Sequence, residues 1–345
     1  MSLIAPSPDI EINGVIEGFY WSNSDAVQGQ VNFYSKQQRD DLISLMSDGL
    51  NYYFFCPHET ENDAFTMTLW NAQQVREWSD TISKASKVSI VFGLRPQWIE
   101  DIQTSLQRIQ LKLEQLASVG IRYYILCWDD SPGAGTDAQM ELQRDLIKTL
   151  VNQVTNIKLI GIIPAYYSRS QISGSTNIDW GKQLAILNEI PTNIRFFVTG
   201  SAINPSSIQT SDIPSLTNRQ FIFFDNWIAV DSNNRVTMTW PPNRHPGIYH
   251  VTEAISGSVL NLAFPPERII HQIYALKQRI NNQYANIGAV LAAHYWANYL
   301  ITKKFYDFNS FEQLKTNLAS LLNDGLETND EIIRRYPFLS RIFTN

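Results

Sequence analysis

The chain has 345 residues, of which 44% are hydrophobic and 12% aromatic, and its formal net charge at pH 7 is -6. This length and apolar content exclude a mainly disordered protein and allow one large buried core. The acidic balance, with no Lys/Arg-rich run to offset it, excludes the charge pattern of a nucleic-acid-binding protein.

The N-terminal stretch MSLIAPSPDIEING has neither a basic segment nor a long apolar segment. No apolar window of about 18 residues occurs elsewhere in the chain. We therefore expect no membrane partner and a cytoplasmic location, or secretion if an export signal has been removed. Cys56 and Cys127 both fall within apolar runs, where free thiols behave as small hydrophobic groups, so the sequence predicts no disulfide.

Short apolar runs typical of buried strands alternate with segments of helical periodicity along most of the chain. The strand-like runs begin, in chain order, at Gly14, Asn51, Val88, Arg122, Lys158, Ile194, Gln220 and Ser258. The helical segments span residues 35–50, 71–87, 104–120, 137–154, 181–190 and 266–280. About eight such units, with no Gly-x-Gly-x-x-Gly after any strand, predict an α/β fold of the (β/α)₈ TIM barrel type rather than a Rossmann sheet.

The last part of the chain has a different pattern from the rest. After residue 282 the periodicity is helical only, in residues 286–300 and 311–324, and no linker-like composition intervenes. We therefore predict a catalytic barrel over residues 10–282 and a helical C-terminal extension, packed on the barrel, over residues 283–345.

Polar and aromatic side chains concentrate where the strand-like runs end. In chain order these residues are Glu17, Tyr20, His58, Glu59, Arg95, Asp129, Asp130, Tyr166, Tyr167, Thr199, Asp225, Asn226 and Asn261. A strand must end in polar residues in any fold, which accounts for part of this pattern. The repeated carboxylates, amides and aromatic rings favour a site, because barrel enzymes build their active sites at the C-terminal ends of the strands.

Asp129 and Asp130 directly follow the apolar and aromatic run of residues 123–128, which is typical of a strand buried on both faces. Successive strand residues point to opposite faces, so both carboxylates can serve one site only if the chain bends there. The Ser-Pro-Gly that follows supplies such a bend. The alternative is a structural strand end. By contrast, Asp40 and Asp41 are predicted to lie on a solvated helix face.

Other common site chemistries lack support in this sequence. The five histidines, His58, His245, His250, His271 and His294, form no cluster at metal-ligand spacing, so we expect no metal. No Gly-x-Ser-x-Gly follows a strand, and neither cysteine has an obvious histidine partner. Carboxylate chemistry remains, and paired acids with divided roles are the usual means of cleaving glycosidic bonds.

Five stretches of the chain occur in the same order as the motifs of a known family. They are GVIEGFYW at the first strand, the Asp-Asp pair after the fourth, FFVTGS at residues 196–201, FFDNWIAVD at residues 223–231 and HYWANYLITKKFYDFNSFEQL near the C-terminus. These stretches resemble the G-V-V-E-G-F-Y-G, catalytic Asp-Asp, W-T-G-P, W-D-N-x-x-x-x-D and D-Y-L-W-N-P-x-x-Y-D-P-x-x-S-W motifs of glycoside hydrolase family 84. That family comprises β-N-acetylglucosaminidases, including O-GlcNAc hydrolases and hyaluronidase-like enzymes.

The resemblance implies a retaining β-N-acetylglucosaminidase whose substrate supplies the nucleophile, its own 2-acetamido carbonyl, and forms an oxazoline intermediate. It assigns Asp129 to hold and polarise the acetamide N–H, Asp130 to act as general acid and then base, and Tyr167 to donate to the acetamido oxygen. The implied substrate-binding residues are Gly18, Tyr20, His58, Phe224, Asn226, Asp231 and Asn261. The implied partner is a β-GlcNAc-containing glycan or glycoprotein, and no cofactor is required.

The sequence also departs from the family pattern. WSNSD replaces the family's G-x-P-W after the first strand, His58 stands where the family has lysine, and Phe224 stands where it has tryptophan. These departures imply altered recognition of the sugar hydroxyls. Because both acids, Asn226 and Asp231 are retained, the resemblance favours an active enzyme. The alternative is a noncatalytic GlcNAc-binding barrel.

Overall fold

The computed structural model describes residues 11–18, 34–57, 67–96, 99–129, 131, 133–172, 180–205, 210–214, 219–226, 255–262, 266–280, 288–326 and 328–343. Within these ranges, parallel strands β1 to β8 form a closed barrel in chain order. The strands are β1 Ile12–Glu17, β2 Tyr52–Phe55, β3 Ser89–Leu94, β4 Tyr123–Cys127, β5 Lys158–Ile163, β6 Arg195–Val198, β7 Phe221–Asp225 and β8 Ile255–Asn261. No helix in the same ranges is both long enough and apolar enough to cross a bilayer.

The barrel closes where β1 pairs with β8. The register runs from Ile12 opposite Gly257 to Ile16 opposite Asn261. Every neighbouring pair is parallel, so the C-terminal ends of all the strands meet on one rim. The predicted TIM barrel is therefore confirmed, and each strand-like run of the sequence contains or overlaps one of its strands.

Apolar side chains fill the interior of the barrel, as expected for strands buried on both faces. Phe54 packs edge-on against Phe197 with ring centroids 5.5 Å apart. Gly161 leaves room for this packing, because a Cβ at that position would lie 2.5 Å from the Phe197 ring. We call the buried cluster inside the strands the inner core; its members are Ile12, Ile16, Tyr52, Phe54, Cys56, Val91, Tyr123, Ile125, Cys127, Ile163, Tyr167, Phe197, Ile222, Phe224 and Val259.

Helices surround the barrel and continue after it. They are α1 Lys36–Met46, α2 Ala72–Lys84, α3 Ile102–Ser118, α4 Asp137–Gln153, α5 Trp180–Leu187, α6 Ile270–Ile280, α7 Ala289–Thr302, α8 Phe311–Asp324, α9 Asn329–Arg335 and α10 Ser340–Phe343. Ser35 and Asn71 begin α1 and α2 with reciprocal capping boxes that use Gln38 and Gln74. Between β6 and β7, the described residues contain the 3₁₀ turn Thr210–Asp212 and no α-helix.

Glu17 ends β1, and its side chain lies between the barrel and the surrounding helices. Its carboxylate accepts hydrogen bonds from Arg39 Nε and Nη2, both at 2.9 Å, and from the Tyr53 hydroxyl at 2.6 Å. Arg39 lies on α1, and its guanidinium also stacks 4.6 Å from the centroid of the Trp78 ring. The sequence placed Glu17 among the polar rim residues, whereas the structure shows that it ties β1 to α1.

Asp40 and Asp41 lie on α1 as predicted, but their environment is not the solvated face that we expected. The Asp40 side chain is 15% exposed and pairs with Lys36, and Asp41 is 19% exposed and pairs with Lys303 at 2.6 Å. The Thr81 hydroxyl from α2 also donates to Asp40 at 2.7 Å. Neighbouring helical segments therefore partly cover this face of α1, although its sequence alone indicates a polar, solvent-exposed surface.

Helices α7 to α10 pack on the barrel. The indole N–H of Trp296 on α7 donates to the Glu267 carbonyl at 2.6 Å, and Arg268 Nε donates to the Ile342 carbonyl at 3.0 Å. Trp296 and the buried leucines of α8 belong to the same apolar cluster as the outward-facing strand residues. The predicted boundary between residues 282 and 283 lies outside the described residues, so the division into two domains stays a prediction.

Acid should destabilise the fold partly through His271. This side chain is fully buried against Trp296, and burial lowers its pKa from the ordinary value of 6.5 to about 3. Between these two values the unfolded chain binds a proton that the folded chain does not. Stability is therefore lost as the pH falls through this window, by up to about 5 kcal/mol.

We expect His271→Gln to reduce the dependence of the unfolding free energy on pH between 6.5 and 3. Urea unfolding across this range measures that slope independently of any constant loss of stability. His294→Gln, which alters an exposed histidine on α7, is the matched control for replacing a histidine by glutamine. Equal slopes for His271→Gln and the wild type would contradict the assignment.

Candidate active site

The C-terminal rim of the barrel gathers most of the described residues that the sequence analysis singled out. Gly18 follows β1, Asp129 follows β4, Tyr167 follows β5, Asn226 follows β7, and Asn261 ends β8. They come from five different strands, so only closure of the barrel brings them to one end of the molecule. Of the other predicted site residues, Phe224 lies within β7, whereas Tyr20, His58, Asp130 and Asp231 lie outside the described residues.

Asp129 is held by a buried arginine from the neighbouring strand. Arg95 Nη1 donates to Asp129 Oδ1 and Nη2 donates to Oδ2, both at 3.0 Å. Arg95 Nη1 also donates to the backbone carbonyl of Asp129 at 3.1 Å. Arg95 is only 2% exposed and Asp129 only 6%. A charged carboxylate is therefore kept at the rim, and its charge is balanced by a guanidinium that is itself withdrawn from water.

Tyr167 and Phe224 form the aromatic part of the rim. Both side chains are 5% exposed and belong to the inner core, with ring centroids 6.0 Å apart in an edge-on arrangement. The backbone around Tyr167 is fixed on both sides, because Gln171 Oε1 accepts from its N–H and Thr199 N–H donates to its carbonyl at 2.8 Å. The fold thus brings together a residue that follows β5 and a residue of β7, both of which the sequence assigned to one site.

Asn226 and Asn261 form a second polar contact on the rim. Asn261 Nδ2 donates to Asn226 Oδ1 at 3.0 Å, and Asn226 Nδ2 donates to the Ile203 carbonyl at 3.3 Å. Asn261 Oδ1 is buried and has no hydrogen-bond partner within the described part of the chain. A Cβ on Gly18 would lie 3.6 Å from this oxygen. Asn261 therefore presents a buried acceptor beside Gly18, the kind of group that a sugar hydroxyl can satisfy.

The two cysteines lie in the inner core close to Asp129. Both are free and fully buried. Burial and a hydrogen bond with the Cys127 thiol raise the pKa of Cys56 well above its ordinary value. Gly93 on β3 leaves space for Cys56, since a Cβ there would lie 2.3 Å from its Sγ. The thiols therefore behave as small packing groups, in keeping with their place in apolar runs of the sequence.

Arg95 was predicted to lie on the rim, without a role. The signal that could have found it is an arginine directly after a buried apolar strand, because a charge at that position requires a partner. The sequence does not say which of the rim carboxylates that partner is. Asp129 lies 34 residues away, and the pairing follows from the adjacency of β3 and β4.

Comparison with known proteins gives one family match. The family described as beta-N-acetylglucosaminidase matches residues 13–267 of this chain. This match contains the whole barrel from β1 to β8 except Ile12, and with it every residue assigned to the site.

Solved structures with a similar fold include the following three. A mutant of the Thermobaculum terrenum O-GlcNAc hydrolase has a TM-score of 0.66 at 18% identity, with 91% of this chain and 65% of that one covered. CpGH84D has a TM-score of 0.65 at 20% identity, covering 85% and 48% of the two chains. CpGH84B has a TM-score of 0.66 at 16% identity, covering 89% and 53%. The present chain therefore spans less than two thirds of the length of each of these relatives.

Proposed function

The chain belongs to the beta-N-acetylglucosaminidase family, and from that premise we propose that it hydrolyses terminal β-linked GlcNAc with retention, through an oxazoline intermediate. The observation that carries the proposal is the Asp129 carboxylate, buried at the C-terminal end of β4 and fixed by Arg95. A buried, oriented carboxylate is what a secondary amide needs as a partner for its N–H. The substrate's acetamide is such a group.

In the proposed first step, Asp129 accepts a hydrogen bond from the acetamide N–H and turns the carbonyl oxygen towards the anomeric carbon. That oxygen forms a bond to the carbon while the bond to the leaving oxygen breaks. Asp130, the next residue along the chain, gives its proton to the leaving oxygen. Throughout both steps the N–H proton stays between the ring nitrogen and Asp129. In the second step Asp130 takes a proton from water, and the water oxygen bonds to the anomeric carbon as the bond from that carbon to the acetamido oxygen breaks. This step restores the acetamide, and Asp130 is again protonated.

Tyr167 is proposed to stabilise the reacting acetamide. Its ring lies in the inner core beside Phe224, so the side chain has little freedom to change position. A hydroxyl held in this way can donate to the acetamido oxygen as the charge on that oxygen changes during attack. Such preorganised donors act more strongly on the transition state than on the bound substrate.

The sugar hydroxyls are proposed to meet Asn226, Asn261 and Asp231. Asn226 and Asn261 already contact one another, and the buried Oδ1 of Asn261 can accept a hydrogen bond from a hydroxyl. Gly18 allows close approach to that oxygen because it carries no side chain. Tyr20, His58 and Phe224 complete the proposed pocket, and the natural substrate is proposed to be a β-GlcNAc-bearing glycan or glycoprotein.

Release of phenol from an aryl β-GlcNAc tests this function directly. A thiazoline analogue of the intermediate should bind at least about 10²-fold more tightly than GlcNAc, because catalytic sites complement late states better than ground states. A noncatalytic GlcNAc-binding barrel would instead bind both with comparable affinity and release no phenol. Calorimetric titration of the two ligands, beside the turnover assay, separates these outcomes.

A further inference from the structure

We propose that Arg95 is a positioning residue for Asp129, an inference that rests on the proposed function. Three hydrogen bonds join the two residues: two from separate guanidinium nitrogens to separate carboxylate oxygens, and one to the Asp129 backbone carbonyl. The side chain and the main chain of Asp129 are therefore fixed by the same planar group. A lysine could not reproduce this geometry, because it presents a single charged centre.

The orientation of the Asp129 carboxylate needs a partner to define it. Rotation about the Cβ–Cγ bond of an aspartate has no sharp preference, unlike rotation about most other side-chain bonds. The Arg95 guanidinium restricts this rotation because it donates to both carboxylate oxygens of Asp129 at 3.0 Å. Each oxygen has two lone pairs, so one on each remains for a further donor. The acetamide N–H needs only one of these lone pairs, and the guanidinium determines where that lone pair lies.

The position of Arg95 also favours a functional role over a purely stabilising one. A buried ion pair contributes little to stability relative to apolar packing, because both ions lose their hydration. Here the pair lies at the rim, directly after the inner core, and involves the residue that precedes the proposed general acid. A second buried arginine–carboxylate pair, Arg39 with Glu17, lies on the outer side of the barrel. It provides a matched control for the loss of such a pair.

The test compares Arg95→Ala and Arg95→Lys with the wild type in single-turnover cleavage of aryl β-GlcNAc substrates with good and poor leaving groups. We expect Arg95→Ala to slow cleavage by about 10²-fold, as a misplaced reacting group does. The loss should be similar for all leaving groups, as expected for Asp129→Asn and unlike Asp130→Asn.

The double variant that carries both Arg95→Ala and Asp129→Asn should be no slower than the slower of the two single variants. Guanidinium chloride below denaturing concentration should restore part of the activity of Arg95→Ala and none to Asp129→Asn.

Arg39→Lys is the control for loss of a buried fork, and should lower Tm without changing the dependence on the leaving group. If Arg95→Ala fails to fold, Arg95→Lys carries the same comparison because it keeps a cation at the site. An active wild type with unchanged rates in the folded Arg95 variants would overturn the role of Arg95 alone. Losses that add to those of Asp129→Asn would also overturn it. A wild type without turnover would overturn the proposed function itself.

Discussion

Aryl β-glucosides should be hydrolysed at least about 10³-fold more slowly than aryl β-GlcNAc, because a glucoside lacks the intramolecular nucleophile that the mechanism requires. The acetamido carbonyl is held next to the anomeric carbon, so its attack avoids the entropic cost of bringing in an external group. In the proposed mechanism Asp129 orients this nucleophile, and the structure shows its carboxylate buried and fixed by Arg95. Initial rates on the two substrates measure the difference.

Aryl β-GalNAc is the control for this comparison. It keeps the acetamido group and differs at a hydroxyl, so any loss of rate on it reports hydroxyl recognition rather than loss of the nucleophile. Successive fluorination of the acetamide should also slow cleavage, because it weakens the carbonyl oxygen as a nucleophile. Equal rates on β-GlcNAc and β-glucoside, or no response to fluorination, would exclude substrate assistance.

Asp130→Asn should slow the cleavage of poor leaving groups by up to about 10⁴-fold and that of good leaving groups much less, because only the poor ones need the proton. Asp129→Asn should slow all leaving groups alike, since orientation of the acetamide is required whatever group departs. Single-turnover kinetics on one series of aryl β-GlcNAc substrates measures both slopes.

Asp40→Asn is the matched control for removing one carboxylate of an adjacent acidic pair. Asp40 pairs with Lys36 on the outer helix α1, so its loss should leave the leaving-group dependence unchanged. Equal slopes for Asp129→Asn and Asp130→Asn would contradict the division of roles. The same conclusion would follow if Asp40→Asn remained folded and were equally impaired.

The barrel itself could be predicted from the sequence because its elements carry local signals. Residues 123–127 form a strand since five consecutive apolar and aromatic side chains are buried on both faces, and this continuous pattern is visible without knowledge of the partners. The same holds for the capped helices that follow the strands. Once eight βα units were recognised, the rim positions followed, because in a parallel barrel the C-terminal ends of the strands share one side.

Partners that are distant along the chain could not be predicted in this way. The sequence of α1 suggests that Asp40 and Asp41 are solvated, yet α2 and the C-terminal helices cover them. Glu17 ends a strand like a rim residue, yet Arg39 binds its carboxylate on the outer side of the barrel. In both cases the local pattern gives the type of element, and packing of a second element decides which face is buried.

The sequence by itself determined the eight-stranded barrel and the place of Asp129 at the end of β4, because both depend on local periodicity and on where a strand ends. Only the tertiary structure decided that Arg95 holds Asp129, that Asn226 contacts Asn261, and that Tyr167 packs on Phe224. These contacts join residues 34, 35 and 57 positions apart. Their identity depends on strand adjacency, register and the tilt of the closed barrel, none of which is encoded in a single segment of the chain.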